Sequence, residues 1–327
     1  MKLNKTSILY ALLFGLGVLA CINMNAQMIP SKEENIDYLV SFGKNADINW
    51  GDDDKIQIYF FSVSRENSAP IYIRIFDPDV GGAIDQINNS VFDTKCSFSL
   101  YGGPQSYSHK DARGVNPVGN FRSGIRLSSV TFGKDSEYDG KWYTIGPINP
   151  QEGEFDKEMD AYVFKLIIEG LSGDDGNLYR LFLSSSGTNN VKVEGGNAFT
   201  YEMTFCLKRE KQSVAHFYPY VKSNLEAIKI HTFDYDHDGF IRLYSVAKLF
   251  RNLNGSGDGT WAENTQTVVE KEHNTSYDYQ IVSSSKFNND MTIYFTNKYN
   301  KAIPFFSNPI GGVPKYKYKV DVNYSFK

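Results

Sequence analysis

The chain has 327 residues, with 34 Lys and Arg against 38 Asp and Glu, a formal net charge of −4 at pH 7 and no cluster of one sign. That balance excludes the basic face a nucleic-acid partner would require. Length allows one large domain or, with the first residues removed, two of ordinary size.

The chain opens with Lys2 and Lys5 ahead of an uncharged apolar run from Ile8 to Ala20. Such a run is too short for a stable membrane span and has the layout of an export signal. Residues 1–27 are therefore expected to leave the mature protein. Two processing routes are open: release after Ala26 or Gln27 in "NMNAQM", or lipid attachment at Cys21 in "VLAC". Later in the chain no hydrophobic run approaches a membrane span, so the only expected membrane contact is a lipid on Cys21.

Beyond the leader the apolar positions recur with period two, and aromatic residues make up 15 % of the chain. This is the pattern of half-buried strands. Expected strands run through "IQIYFFSV" (56–63), "PIYIRIF" (70–76), "KWYTIG" (141–146), "YVFKLIIEG" (162–170), "LYRLFLS" (178–184), "FTYEMTF" (199–205), "AIKI" (227–230) and "MTIYFTN" (291–297). In "FTYEMTF" the alternation sets Phe199, Tyr201, Met203 and Phe205 against Thr200, Glu202 and Thr204, which are expected to face water. The tail "KYKYKVDVNYSFK" alternates tyrosines and valines with lysines, so it reads as a terminal amphipathic strand rather than a nucleic-acid contact. Turn signals stand between the runs at Asp139-Gly140, Asp175-Gly176, Asn254-Gly255 and Asp258-Gly259.

The fold expectation is all-β: two tandem antiparallel β-sandwich domains, Ig-like or jelly-roll-like, following the signal peptide. The boundary is placed in "CLKREKQSVAH", dividing the mature chain into 28–209 and 210–327. A continuous pair of sandwiches sharing an interface is the alternative. Cys96 and Cys206 each sit in a strand-like run and are open to two readings, a disulfide in an exported protein or two separate buried thiols.

Several loops carry chemistry. "WGDDDK" (50–55) and "FDPDVGG" (76–82) place carboxylates at strand ends, where they usually form solvated loops and alternatively supply ligand sets, the more so if several such loops fall at one end of the sandwiches. Tyr101 to Gly124 is a long aperiodic stretch rich in Gly, Pro, Ser and Asn, either a crossover between sheets or a binding loop. Its His109, Lys110, Asp111, Arg113 and Arg122 would suit an anionic or hydroxyl-rich ligand.

The sharpest pattern is "DYDHDGF", 234–240. Asp234, Asp236 and Asp238 alternate, Gly239 permits a sharp reversal and Phe240 offers a backbone carbonyl, a set of hard oxygen donors suited to Ca²⁺. The start resembles an EF-hand loop, and Ile241 matches its apolar eighth position. Position nine is instead Arg242 and position twelve Ser245, and strands rather than helices flank the turn. A remote carboxylate such as Asp258 or Glu263 could complete the set. "NGSGDG" (254–259) repeats the alternation with softer donors, as a weaker second candidate.

Trp50, Trp142, Tyr143 and Trp261 are candidates for stacking on a sugar, although rings of this size are usually buried. No HExxH, GxSxG, P-loop or CxxC motif occurs, and the five histidines lack metal-ligand spacing. The resulting expectation is an exported, non-enzymatic envelope or cell-surface protein, a binding or structural β-sandwich with a structural calcium ion. Its partner would be a surface protein or glycan. A carbohydrate-binding or adhesion module and a glycan-active enzyme are the alternatives, the enzyme requiring two carboxylates facing each other across a cleft.

Overall fold

The computed structural model describes residues 27–248, 252–284 and 290–313. The leader through Ala26, with Cys21, and the expected tail strand from Lys315 lie outside the described residues. Among those described, the regular elements are strands and short 3-10 turns, with no α-helix. The ladders are antiparallel, and the sheets stack face to face in a sandwich-like arrangement.

Alternation explains the layers. In strand Ile71–Phe76, Ile71, Ile73 and Ile75 are wholly buried on one face. They join a core shared with Tyr59, Phe61, Phe98, Phe164 and Leu166 of the opposite sheet. A nine-stranded sheet forms the common wall. Its path runs Trp261–Thr267, Ala227–Phe233, Asp290–Asn297, Glu202–Cys206, Tyr38–Phe42, Gly176–Ser184, Ile71–Phe76 and Trp142–Ile148, with Met28–Ile29 added beside Gly176–Ser184. One part of this wall packs on a seven-stranded sheet built around Ile56–Ser64, Ala161–Ser172 and Lys95–Gly102, where Phe98 meets Tyr179 edge-on at 5.3 Å. Another part packs on a four-stranded sheet containing Val214–Phe217, Asp278–Ser283 and Gly239–Tyr244. There Phe205 meets Phe217 at 4.9 Å and Phe295 meets Tyr279 at 5.0 Å.

The run "FTYEMTF" differs from its expectation. It is two strands, Asn197–Thr200 in the seven-stranded sheet and Glu202–Cys206 in the nine-stranded one, and the chain changes sheet at Tyr201. Both faces are therefore covered. Thr200, Glu202 and Thr204 are 1 %, 6 % and 0 % exposed rather than facing water. The threonines satisfy their hydroxyls internally: Thr200 donates to Ile58 O at 2.6 Å, and the hydroxyls of Thr204 and Thr292 lie 2.8 Å apart. Glu202 is carried inside by the same crossover.

Hydrogen bonding also runs across position 209/210. Strand Glu202–Cys206 pairs with Asp290–Asn297 on one side and with Tyr38–Phe42 on the other. The long sheet is thus assembled from both sequence halves. Cys96 and Cys206 are both buried, lie in different sheets and are not joined by a disulfide.

Candidate metal centre

Strands Ala227–Phe233 and Gly239–Tyr244 flank the acidic turn. Between them the backbone is forced left-handed, with φ of 57° at Asp234, 57° at Asp236, 52° at His237 and 153° at Gly239. Short polar residues and glycine tolerate this region; branched ones do not. Gly239 has no alternative, because a Cβ there would stand 1.8 Å from Val282 O.

The turn is held by the loop after Leu253. Ser256 Oγ accepts Tyr235 N–H at 3.0 Å, Ser256 O accepts His237 N–H at 2.9 Å, and Asp234 Oδ1 accepts Gly259 N–H at 2.5 Å. Gly255 lies flat against Tyr235, where a Cβ would fall 2.1 Å from the ring. "DYDHDGF" and "NGSGDG" are therefore two halves of one structure. Asp234, Asp236 and Asp258 each present a carboxylate oxygen within 4.8 Å of the others.

The other expected ligands stand apart from this trio. Asp238 turns to Ser284, whose Oγ donates to its Oδ1 at 3.1 Å and whose N–H donates to its carbonyl at 2.8 Å. Phe240 lies in the strand opposite Val282 with its ring 40 % exposed. Glu263 pairs with Lys229 at 3.1 Å and approaches His231 at 3.8 Å. Ser245 is engaged with Glu272.

The electrostatics follow from geometry. Burial, then the like charges of Asp236, Asp258 and Asp290, push the Asp234 carboxyl up to about 7, against the opposing Gly259 N–H bond. Asp236 is raised by burial and by Asp258 and Asp238. Carboxylates held this close repel one another, and a hard cation with oxygen preference would offset that repulsion.

"WGDDDK" is not a solvated loop. Asp52 is 0 % exposed; its Oδ1 accepts the N–H groups of Asp54 (3.1 Å) and Lys55 (3.4 Å), and its Oδ2 accepts Gln57 Nε2 at 3.2 Å. Asp53 Oδ2 accepts Trp261 Nε1 at 2.9 Å and Asp54 Oδ1 accepts Ile56 N–H at 2.8 Å. Glu202 reaches the same place from the sheet crossover, within hydrogen-bonding reach of Asp54, while its Oε2 accepts Asn116 N–H at 3.2 Å. Burial raises Asp54 well above the usual carboxylate range, with the charges of Asp52 and Glu202 adding to it, and lifts Glu202 to about 7.

Two further acidic groups are spent on backbone. In "FDPDVGG", Asp77 accepts Gly140 N–H at 2.7 Å and Asp79 accepts Tyr138 N–H at 2.6 Å, bracing the Asp139-Gly140 turn. In the trio Asp93, Asp174 and Asp175, the Asp175 carboxylate accepts the N–H groups of Asn88, Asp93 and Thr94.

The long Tyr101–Gly124 stretch is pinned from beneath by the wholly buried Lys165, whose ammonium donates to Phe121 O at 2.6 Å and Ser123 O at 2.7 Å. Its expected ligand groups are largely occupied locally. His109 Nδ1 accepts Asp111 N–H at 3.2 Å, Asp111 Oδ2 accepts Asn120 N–H at 2.8 Å, Arg113 donates to Ser108 O at 3.1 Å, and Arg122 forks onto Glu169 at 2.7 Å. Lys110 is exposed. Beneath the loop, Ala112, Gly114 and Pro117 roof a cavity over Ile58, Phe60, Tyr201 and Glu202. At about 10 Å³ it holds about one water and no sugar ring.

Each aromatic candidate also contacts a neighbouring side chain, with Trp261 remaining 37 % exposed. Trp50 stands edge-on to Phe42 at 5.9 Å, and Trp142 lies beneath the Arg74 guanidinium at 5.1 Å. Tyr143 packs on Phe132 at 5.1 Å, and Trp261 lies 5.0 Å from both Phe233 and Tyr294. Sequence reading reached the Asp234 turn and offered Asp258 or Glu263 as the remote carboxylate, of which the structure brings Asp258 to the turn and not Glu263. It missed Glu202, whose only signal is a lone carboxylate amid threonines and aromatics.

No family model matches this chain, and no curated protein matches it. Among solved structures it aligns with that of the infectious bursal disease virus Gx strain at 10 % identity, over 83 % of this chain and 74 % of that one, with a TM-score of 0.16. It also aligns with the functional form of the mosquito-larvicidal Cry4Aa toxin from Bacillus thuringiensis at 9 % identity, over 77 % of this chain and 51 % of that one, with a TM-score of 0.12. Overlaps this poor carry no argument about fold or function.

Proposed function

We propose that this is an exported, non-enzymatic β-sandwich protein of the cell surface or envelope, serving as a binding or structural component, with Ca²⁺ held by Asp234, Asp236 and Asp258. One observation carries the calcium reading: two loops about twenty residues apart in sequence are bonded to each other so that three carboxylates converge within 4.8 Å. The ion's role is structural, since it offsets repulsion in the turn and ties that turn to the 254–259 loop. Residues 1–27 serve as the leader, with Cys21 as the point of any lipid anchor. The rest is organised as two sandwich units sharing the long sheet, and its partner is a surface protein or glycan.

Calorimetric titration of the chain with Ca²⁺, alongside Asp234→Ala and Asp258→Ala, tests the centre. Heat of binding diminished in both variants supports it; binding unchanged in both refutes it. Cell fractionation of the full chain beside a Cys21→Ser variant tests export, and retention of both in the cytoplasm would end that part of the reading.

A further inference from the structure

Three buried carboxylate oxygens near the Trp50–Lys55 turn have no hydrogen-bond donor: Asp53 Oδ1, Asp54 Oδ2 and Glu202 Oε1. Ionised carboxylates only accept, so an oxygen removed from water without a donor is costly. The chain converges on this arrangement from two directions. Asp52 gathers the N–H groups of Asp54 and Lys55, curling the turn until Asp52, Asp53 and Asp54 each present an oxygen within 4.8 Å of the others. Glu202, 6 % exposed, arrives from the sheet crossover beside Asp54.

Local charge is unbalanced. Four carboxylates, Asp52, Asp53, Asp54 and Glu202, face one lysine, a formal −3. Lys55 directs its ammonium to the Asp52 carbonyl and lies over the Phe42 ring at 5.6 Å. The trio Asp93, Asp174 and Asp175 offers the contrast: there backbone N–H groups fill the Asp175 carboxylate, and no cation is called for.

We propose that the Asp52–Asp54 turn, with Glu202 beside Asp54, forms a second, buried site for a hard divalent cation of the Ca²⁺ class, distinct from the Asp234 turn. Oxygen-only donors select such an ion over softer metals. Asp52 adds its charge and shapes the turn, and the Tyr101–Gly124 loop closes the site through the Asn116–Glu202 bond. The loop thus acts as a cover over an ion rather than a grip on a large ligand. Trp261 stands between the two centres, its Nε1 on Asp53 and its ring against Phe233, which precedes Asp234. Its emission should respond to both.

The test is the calcium stoichiometry of the full-length chain, by calorimetry in chelator-treated buffer, with tryptophan emission followed in parallel. The wild type should bind two ions; Glu202→Gln and Asp54→Asn should each lose one, and Asp236→Asn should lose the other. An ion lost in Glu202→Gln but kept in Asp236→Asn supports this site whatever becomes of the Asp234 turn. Undiminished stoichiometry in both Glu202→Gln and Asp54→Asn overturns it. So does a Glu202→Gln chain that melts higher than wild type in chelator and calcium alike, which would mean that a shared proton, not a metal, serves the pair. Should both variants fail to fold, anomalous scattering from wild-type crystals soaked in Mn²⁺ decides: a peak bonded to Glu202 and Asp54 supports the site, and a map without one there overturns it.

Discussion

Replacing Asp236 with Asn should reverse sign with calcium. The variant removes one charge from a trio whose oxygens lie within 4.8 Å of one another, and so removes two repulsive pairs. At that distance and at the dielectric of water, suited to the exposed Asp236 and Asp258, each pair costs about 0.9 kcal/mol. The variant is therefore more stable than wild type in chelator by about 2 kcal/mol at low salt, and by roughly half that at physiological ionic strength. An unfolding entropy of about 2.1 cal/mol/K per residue over roughly 300 residues converts 2 kcal/mol to about 3 °C in Tm. Calcium at about a thousandfold over its Kd should then add about 4 kcal/mol, or about 6 °C, through the Asp234 site in the wild type and nothing through that site in the variant, whose calcium gain falls short by that amount. Scanning calorimetry at pH 8, with chelator and with calcium, reads both arms. A variant less stable than wild type in chelator, or one that keeps the full calcium gain, would refute the reasoning.

Glu34 is 1 % exposed, and burial raises its carboxyl to about 7 against bonds from Ser31 and Ser307, with Glu33 adding like charge. The folded state thus holds a proton that the unfolded chain releases near 4.5, so stability falls as pH rises through the interval from 4.5 to 7. Glu34→Gln should match wild type near pH 4.5 and exceed it at pH 8 by about 3 kcal/mol, measured by urea unfolding at both pH values; equal midpoints at pH 8 would contradict this. Gly239→Ala puts a Cβ 1.8 Å from Val282 O at a φ of 153° and should cost about 3 kcal/mol or more, seen as a lowered Tm with and without calcium. A fragment ending at 209 leaves Glu202–Cys206 without its partner Asp290–Asn297 and uncovers Met203 and Phe205. It should aggregate or show broad amide resonances, whereas a sharp, dispersed spectrum would establish an independent N-terminal unit.

Alternation with period two made the all-β class and most strand positions readable, because a strand's side chains point to opposite faces whatever lies beyond them. The tight acidic turn was readable for a similar reason, since alternating aspartates before Gly239 mark a sharp reversal, but Asp238 turned to Ser284 and the third carboxylate of the trio, Asp258, came from another loop. What lay across the sheets was not. The split of "FTYEMTF" at Tyr201 leaves no mark in the alternation, since a strand that changes sheet keeps period two while gaining a cover on both faces. The union of "NGSGDG" with "DYDHDGF" rests on bonds from Ser256 and Gly259 whose long-range partners the spacing did not reveal. Sequence by itself determined the strands, their turns and the acidic loops; only tertiary structure decided which carboxylates meet, because burial and charge convergence depend on contacts between residues such as Asp54 and Glu202 that lie far apart along the chain.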